Sequence, residues 1–126
     1  MKIASLIARL LLGLVFLVFG LNGFLHFIKA PMPTGIAGQF IGAIFASGFW
    51  VVIFGVQVIS GVLFLAGRFV PLALVLIGPM IVNILCFHAL MGAPGLPLAI
   101  VVAALWAIVA IRNKQHLAGI FVQRTE

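Results

Sequence analysis

Four long apolar stretches, separated by short segments rich in proline, glycine or a basic residue, make up most of this chain. We place them at about residues 3–27, 49–66, 69–90 and 98–111. A helix of roughly 20 apolar residues spans the hydrocarbon core of a bilayer, and a helix satisfies its own backbone hydrogen bonds in lipid. The pattern therefore predicts an all-α integral membrane protein, with one transmembrane domain (residues 1–126) built as a four-helix bundle.

The composition is typical of an integral membrane protein. Hydrophobic residues make up 66% of the sequence and charged residues only 6%, whereas a soluble domain carries about 25% charged residues. The basic residues stand singly and form no patch or stripe, so we expect no nucleic-acid partner. The expected partner is the lipid bilayer itself.

The first apolar stretch begins like a signal peptide, because Lys2 precedes an apolar run. Arg9 interrupts that run, the run is long, and no cleavage site of small residues follows, so we expect a retained helix. Pro31 and Pro33 then interrupt the helical pattern. The apolar segment 36–47 is too short to span, and it predicts a short helix between spans one and two that is either interfacial or re-entrant.

The basic residues also predict the orientation. In a four-span topology both termini and the middle turn lie on one side, and that side holds Lys2, Arg9, Arg68, Arg112, Lys114 and Arg124. The opposite side holds only Lys29. Because loops rich in Lys and Arg stay inside, we expect both termini to be cytoplasmic.

The chain lacks the usual catalytic groups. Glu126 is the single acidic residue and Cys86 the single cysteine, so no internal carboxylate base and no cysteine pair exists. We assign no catalytic residue and expect no stand-alone enzyme, at most a non-catalytic subunit of an oxidoreductase. Small residues in every span favour close packing within the bundle, with a homo-oligomer as the alternative.

An ionisable side chain within a span is a functional hypothesis. Arg9 lies about two turns inside the first span. Its long side chain can return to the headgroups, or it can face the bundle and pair with Gln57, near the middle of the second span. Both interpretations of this intramembrane polar pair stay open.

A second polar group is predicted in the outer half of the bundle. Asn22 and His26 are four residues apart and share one helix face, while Asn83 and His88 lie in the outward half of span three. The four side chains, with Gln39 nearby, can bridge helices by hydrogen bonds, line a pocket for a small polar headgroup such as a quinone ring, or ligate haem or a metal. Two histidines without carboxylates form a poor metal site, so we assign no metal. We favour hydrogen bonds between helices first, a pocket for a headgroup such as a quinone second, and haem ligation last.

Three segments resemble the DoxX family of small bacterial membrane proteins: RLLLGLVFLVFGLNGFLHF at 9–27, GRFVPLAL at 67–74 and PMIVNILCFH at 79–88. The resemblance implies a four-helix bundle in the bacterial cytoplasmic (inner) membrane. It also implies a link to redox processes, because the family takes its name from a subunit of a thiosulfate:quinone oxidoreductase. In relatives a Glu often stands at the position of Gln57, so an Arg–Glu pair is replaced here by Arg9 and Gln57.

The resemblance implies an accessory or anchor subunit, linked to quinone or redox processes and associated with membrane redox-complex subunits. The alternative function is a binding or carrier protein for a quinone, a lipid or another small molecule. That function would use the outer-leaflet pocket of Asn22, His26, Asn83 and His88.

Overall fold

A computed structural model describes residues 2–125, and all regular structure within them is helical. The helices are α1 (Lys2–Leu25), α2 (Gly35–Ser47), α3 (Trp50–Ala66), α4 (Val70–Leu90), α5 (Leu96–Arg112), α6 (Lys114–Leu117) and a final 3₁₀ turn (Ala118–Phe121). The predicted all-α class is confirmed. Large apolar side chains such as Ile7, Leu14, Val62 and Val82 cover the outside of the bundle, which is a surface suited to lipid.

The number of membrane spans depends on two bent helix pairs. Helices α1 and α4 are each long and apolar enough to cross a bilayer. Helices α2 and α3 are bent by 90° relative to each other, and α5 is bent by 85° relative to the short helices that follow it. The described residues therefore hold two membrane spans, or up to four if each bent pair counts as one span. The predicted helix between spans one and two is present as α2.

Successive long helices run in opposite directions, and the bundle therefore has two distinct ends. We call one the arginine end, because Arg68 lies in its turn and Arg112 at the end of α5. We call the other the proline end, because it holds the segments 26–34 and 91–95 with Pro31, Pro33 and Pro94.

Glycines bring α1 and α3 into close contact along most of their length. Gly13 lies against Phe64 and Gly20 against Val58, and an added Cβ at either would come within 2.9 Å of its neighbour. At Gly61 an added Cβ would lie 2.6 Å from the backbone nitrogen of Leu17. Small residues thus allow the two backbones to approach, as is common for helices in lipid.

The packed core lies towards the arginine end. Leu12, Phe64, Leu74, Ile77 and Val109 are fully buried there, and they belong to one cluster contributed by α1, α3, α4 and α5. The indole nitrogen of Trp106 donates a 3.0 Å hydrogen bond to the carbonyl of Leu74, which ties α5 to α4.

Candidate ligand-binding cavity

A cavity of about 1000 Å³ lies towards the proline end of the bundle. Its walls come from α1, α2, α3 and α4, with Val102 of α5, residue 28 and the segments 30–34 and 92–94 completing them. Most of the lining is apolar, and the polar side chains in it are those of Asn22, Thr34, Gln57, Asn83 and His88. Ligand pockets for small molecules typically have roughly 300–1,000 Å³ and such a lining.

The cavity exists because α2 lies across the bundle instead of along it. Gly48, with φ of 81°, ends α2 in the left-handed conformation, and α3 then departs at 90°. On the α1 side, Gly23 leaves no room for a Cβ beside the ring of Phe54, and Phe54 forms part of the cavity wall. Side chains of α2, including Phe40 and Ile44, therefore face a space that no helix fills.

Gln57 is the most buried polar side chain of the cavity. It lies in the middle of α3, is only 6% exposed, and lines the cavity. Within residues 2–125 its side-chain amide has no hydrogen-bond partner. An amide carries two N–H donors and an oxygen acceptor. Neither polar atom of Gln57 is sealed off, because among the described residues Ser60 Oγ alone is a fully buried side-chain atom without a partner. The cavity is the space from which a partner can reach them.

Asn22 and Asn83 contribute further amides from α1 and α4. The side-chain oxygen of Asn22 accepts a 2.6 Å hydrogen bond from the backbone N–H of Ile28, so this residue also fixes the chain after α1. Asn83 is exposed and lines the cavity on the wall formed by α4. Both amides retain N–H donors for a ligand.

His88 supplies an acceptor. Its Nδ1 lies 3.3 Å from the carbonyl oxygen of Ala93, and because a carbonyl only accepts, Nδ1 is the donor in this contact. In the neutral tautomer that makes this hydrogen bond, Nε2 is an acceptor. Gly95, with φ of 112°, packs its backbone so close to the ring that an added Cβ would lie 3.0 Å from Cε1. The imidazole is thus held in place by the loop.

His26 lies apart from the other members of the predicted pocket. It follows the end of α1 with φ of 54°, is exposed, and does not line the cavity. Its ring lies 6.2 Å from that of Phe45. Gln39 is also exposed and outside the lining. Asn22, Asn83 and His88 line one cavity together with Gln57. In residues 2–125 no three His, Cys, Asp or Glu side chains form a potential metal site.

Arg9 lies at the opposite end of α3 from the cavity. Its Nη1 donates a hydrogen bond to the carbonyl of Phe64 and lies against Gly67, where an added Cβ would come within 2.8 Å of it. A cation next to the last carbonyls of a helix is favourable. Gln57 is seven residues before Phe64, about 10 Å along the helix, so the structure does not bring the expected Arg9–Gln57 pair together.

The fold and cavity define a small helical membrane protein with one large, mostly apolar cavity towards its proline end. The family profile of DoxX matches residues 4–89, which extend from α1 through nearly all of α4. The chain belongs to the DoxX family. No curated protein and no solved structure matches it.

Proposed function

We propose that this protein binds a small amphiphilic molecule, of the quinone or lipid class, in the proline-end cavity. The observation that carries the proposal is Gln57: a side-chain amide, 6% exposed and unpaired within the described residues, in a cavity of about 1000 Å³. Buried polar groups are almost always hydrogen-bonded. A ligand with a polar head would complete this site.

The character of the lining supports an amphiphile. Aromatic and aliphatic side chains such as Phe16, Phe40, Ile44 and Met80 form most of the walls, which suits a hydrocarbon chain or a ring. The polar side chains are few, as in specific ligand pockets, where they fix the orientation of the bound molecule.

We propose further that the protein crosses the bacterial cytoplasmic membrane four times, with both termini inside. The distribution of Lys and Arg supports this orientation. The proline end, and with it the cavity, then lies in the outer half of the bilayer. The ligand would enter from the outer leaflet or from the space beyond it.

Family membership supports one additional role for the same cavity. Through the quinone link of the DoxX family, the protein is proposed to act as an accessory or anchor subunit of a membrane redox complex. A subunit that holds a quinone-like molecule near such a complex would combine binding with anchoring.

Blocking the cavity tests the binding proposal. The double variant Ile44→Trp/Val52→Trp enlarges two side chains of the lining, whereas Val51→Trp/Ile59→Trp makes the same changes at two positions outside the lining. We expect organic extracts of the wild-type protein and of the outer-face variant, purified in mild detergent, to contain one defined small molecule by mass spectrometry. The cavity variant should retain several-fold less of it.

Equal amounts in both variants would contradict the proposal. So would wild-type extracts that contain only bulk membrane phospholipids in their ordinary proportions.

A further inference from the structure

We infer that the bound molecule has an uncharged head with both a hydrogen-bond donor and an acceptor, and that this head binds deep in the cavity between Gln57 and Asn83. The hydrocarbon chain then extends past α2 to the exposed rim. A long-chain monoacylglycerol, with hydroxyl groups beside an ester, has this chemistry. The inference rests on the proposed function and adds to it the class of the ligand and its orientation.

The charge of the lining residues excludes a charged head. Among the described residues that form the walls none is Lys, Arg, Asp or Glu, and the single titratable group is His88. A phosphate or ammonium group moved from water into a low-dielectric site loses its hydration at high cost unless a counter-charge compensates it. The basic residue nearest the membrane interior, Arg9, lies at the other end of α3 on the carbonyl of Phe64.

Helix geometry places the two amides at one depth. Gln57 is seven residues from Trp50, the proline-end residue of α3, and Asn83 is seven residues from Leu90, the proline-end residue of α4. At 1.5 Å per residue, both lie about 10 Å below that end of the bundle. They line the same cavity, so one small head group can lie between them.

The burial of the lining residues gives the direction of the ligand. Part of the wall is closed, since Gln57, Phe16 and Val102 are only 6%, 2% and 5% exposed. Towards the proline end the wall opens, with Phe49 and Met32 more than half exposed. The closed part of the cavity contains the unpaired amide of Gln57. The polar head of the ligand therefore binds in that part, and the hydrocarbon chain of the ligand lies towards the open rim.

The donor and acceptor groups specify the head more closely. Gln57 offers N–H donors and a free acceptor oxygen, and Nε2 of His88 is a second acceptor nearer the rim. A head with acceptors alone would leave the oxygen of Gln57 unpaired. A head that includes a hydroxyl or N–H group beside a carbonyl or ester can hydrogen-bond both to the N–H donors and to the oxygen of the Gln57 amide.

Three probes with the same oleoyl chain test this inference. They are 1-monooleoylglycerol, methyl oleate, which lacks a donor, and oleoyl lysophosphatidic acid, which carries a phosphate. We expect native mass spectrometry of the full-length protein in detergent to show monooleoylglycerol binding about tenfold more tightly than either of the others. That ratio corresponds to the loss of one buried hydrogen bond to an unpaired group.

Gln57→Leu keeps the approximate size of the side chain and removes its hydrogen bonds. It should lower the affinity for monooleoylglycerol about tenfold and that for methyl oleate less, because the ester of methyl oleate can use only the N–H donors of Gln57. Gln39→Leu, the same change at an exposed position outside the lining, should alter neither. Asn83→Leu, at an exposed site that tolerates substitution, provides a second variant should Gln57→Leu fail to fold, and it should also weaken monooleoylglycerol selectively.

Wild-type affinity for monooleoylglycerol in Gln57→Leu and Asn83→Leu, or equally tight binding of the phosphate probe, would overturn the inference. If all three probes bind equally and the Ile44→Trp/Val52→Trp variant loses them, the cavity is a binding site but the head is not recognised as inferred. If the wild-type protein binds no probe and retains no small molecule, the proposed function fails as well.

Discussion

The two ends of the bundle are built from the same long helices and differ in how those helices meet. At the arginine end large side chains such as Leu12, Phe64 and Val109 are fully buried against one another. Towards the proline end the buried apolar positions include small ones, at Ala37 and Ala93, and the buried Phe16 and Val102 belong to the wall of a cavity. We infer that the first end supplies most of the folding free energy and that the second end is available for binding.

The comparison predicts that the same truncation has very different effects at the two ends. Phe64→Ala removes a fully buried ring and should destabilise the protein by about 3–5 kcal/mol. Phe40→Ala, at a residue that is 39% exposed on the cavity wall, should cost less than about 1 kcal/mol. Reversible unfolding in mixed micelles measures both. Equal losses would show that the proline end is packed as tightly as the arginine end.

Glycine substitutions on α3 separate the α1–α3 contact from the rest of that helix. Gly61→Val should destabilise the protein by about 2–3 kcal/mol, because its side chain would push against the backbone of Leu17. Gly55→Val provides the control, since an added Cβ there meets no neighbour within 4 Å. The midpoint of thermal unfolding should fall clearly for the first variant alone, and a matching fall for Gly55→Val would contradict the close approach of the two helices.

Arg9 should affect stability without affecting ligand binding. Arg9→Met removes a charged donor from the carbonyl of Phe64 and should cost about 1–2 kcal/mol, while Arg9→Lys should restore part of that loss. Arg112→Met, at an exposed position, serves as the control. Unfolding midpoints and the amount of co-purified small molecule should be measured together. A loss of ligand in Arg9→Met would contradict this expectation, because it would show that a change at the arginine end affects binding at the proline end.

Ser60 should give the smallest effect. Its hydroxyl oxygen is fully buried and has no hydrogen-bond partner within the described residues. Ser60→Ala therefore removes an unsatisfied polar group without removing a hydrogen bond, and the free energy of unfolding should stay within about 0.5 kcal/mol or rise slightly. A drop larger than about 1 kcal/mol, measured by the same unfolding assay, would mean that the hydroxyl has a partner in the membrane.

The helices could be predicted from the sequence because their apolar runs are long and their breaks contain proline or glycine. Residues 36–47 differ from α2 by one residue, and residues 49–66 differ from α3 by one residue at the start. The first helix ends at Leu25, two residues earlier than predicted, because His26 adopts a left-handed conformation after its N–H bonds to the carbonyl of Asn22. Nothing in the apolar pattern marks that turn.

The site was harder to predict because it depends on contacts between helices. Helix direction and depth predict Asn22, Asn83 and His88 in the outer half of the bundle, and all three line the cavity. The sequence leaves open whether Arg9 returns to the headgroups or faces Gln57, and it does not reveal that Arg9 reaches the carbonyl of Phe64. Nor does it show the cavity beside Gln57, because that cavity depends on the 90° bend between α2 and α3.

Photochemical crosslinking in living cells can show whether one defined molecule occupies the cavity. p-Benzoylphenylalanine in place of Phe40 would lie on the cavity wall, and in place of Phe27 it would lie at the same end of the bundle but outside the cavity. We expect a covalent adduct of one defined mass at the first position, an adduct that Gln57→Leu diminishes, and a mixture of bulk phospholipids at the second. The same phospholipid mixture at both positions would contradict binding of a specific molecule in the cavity.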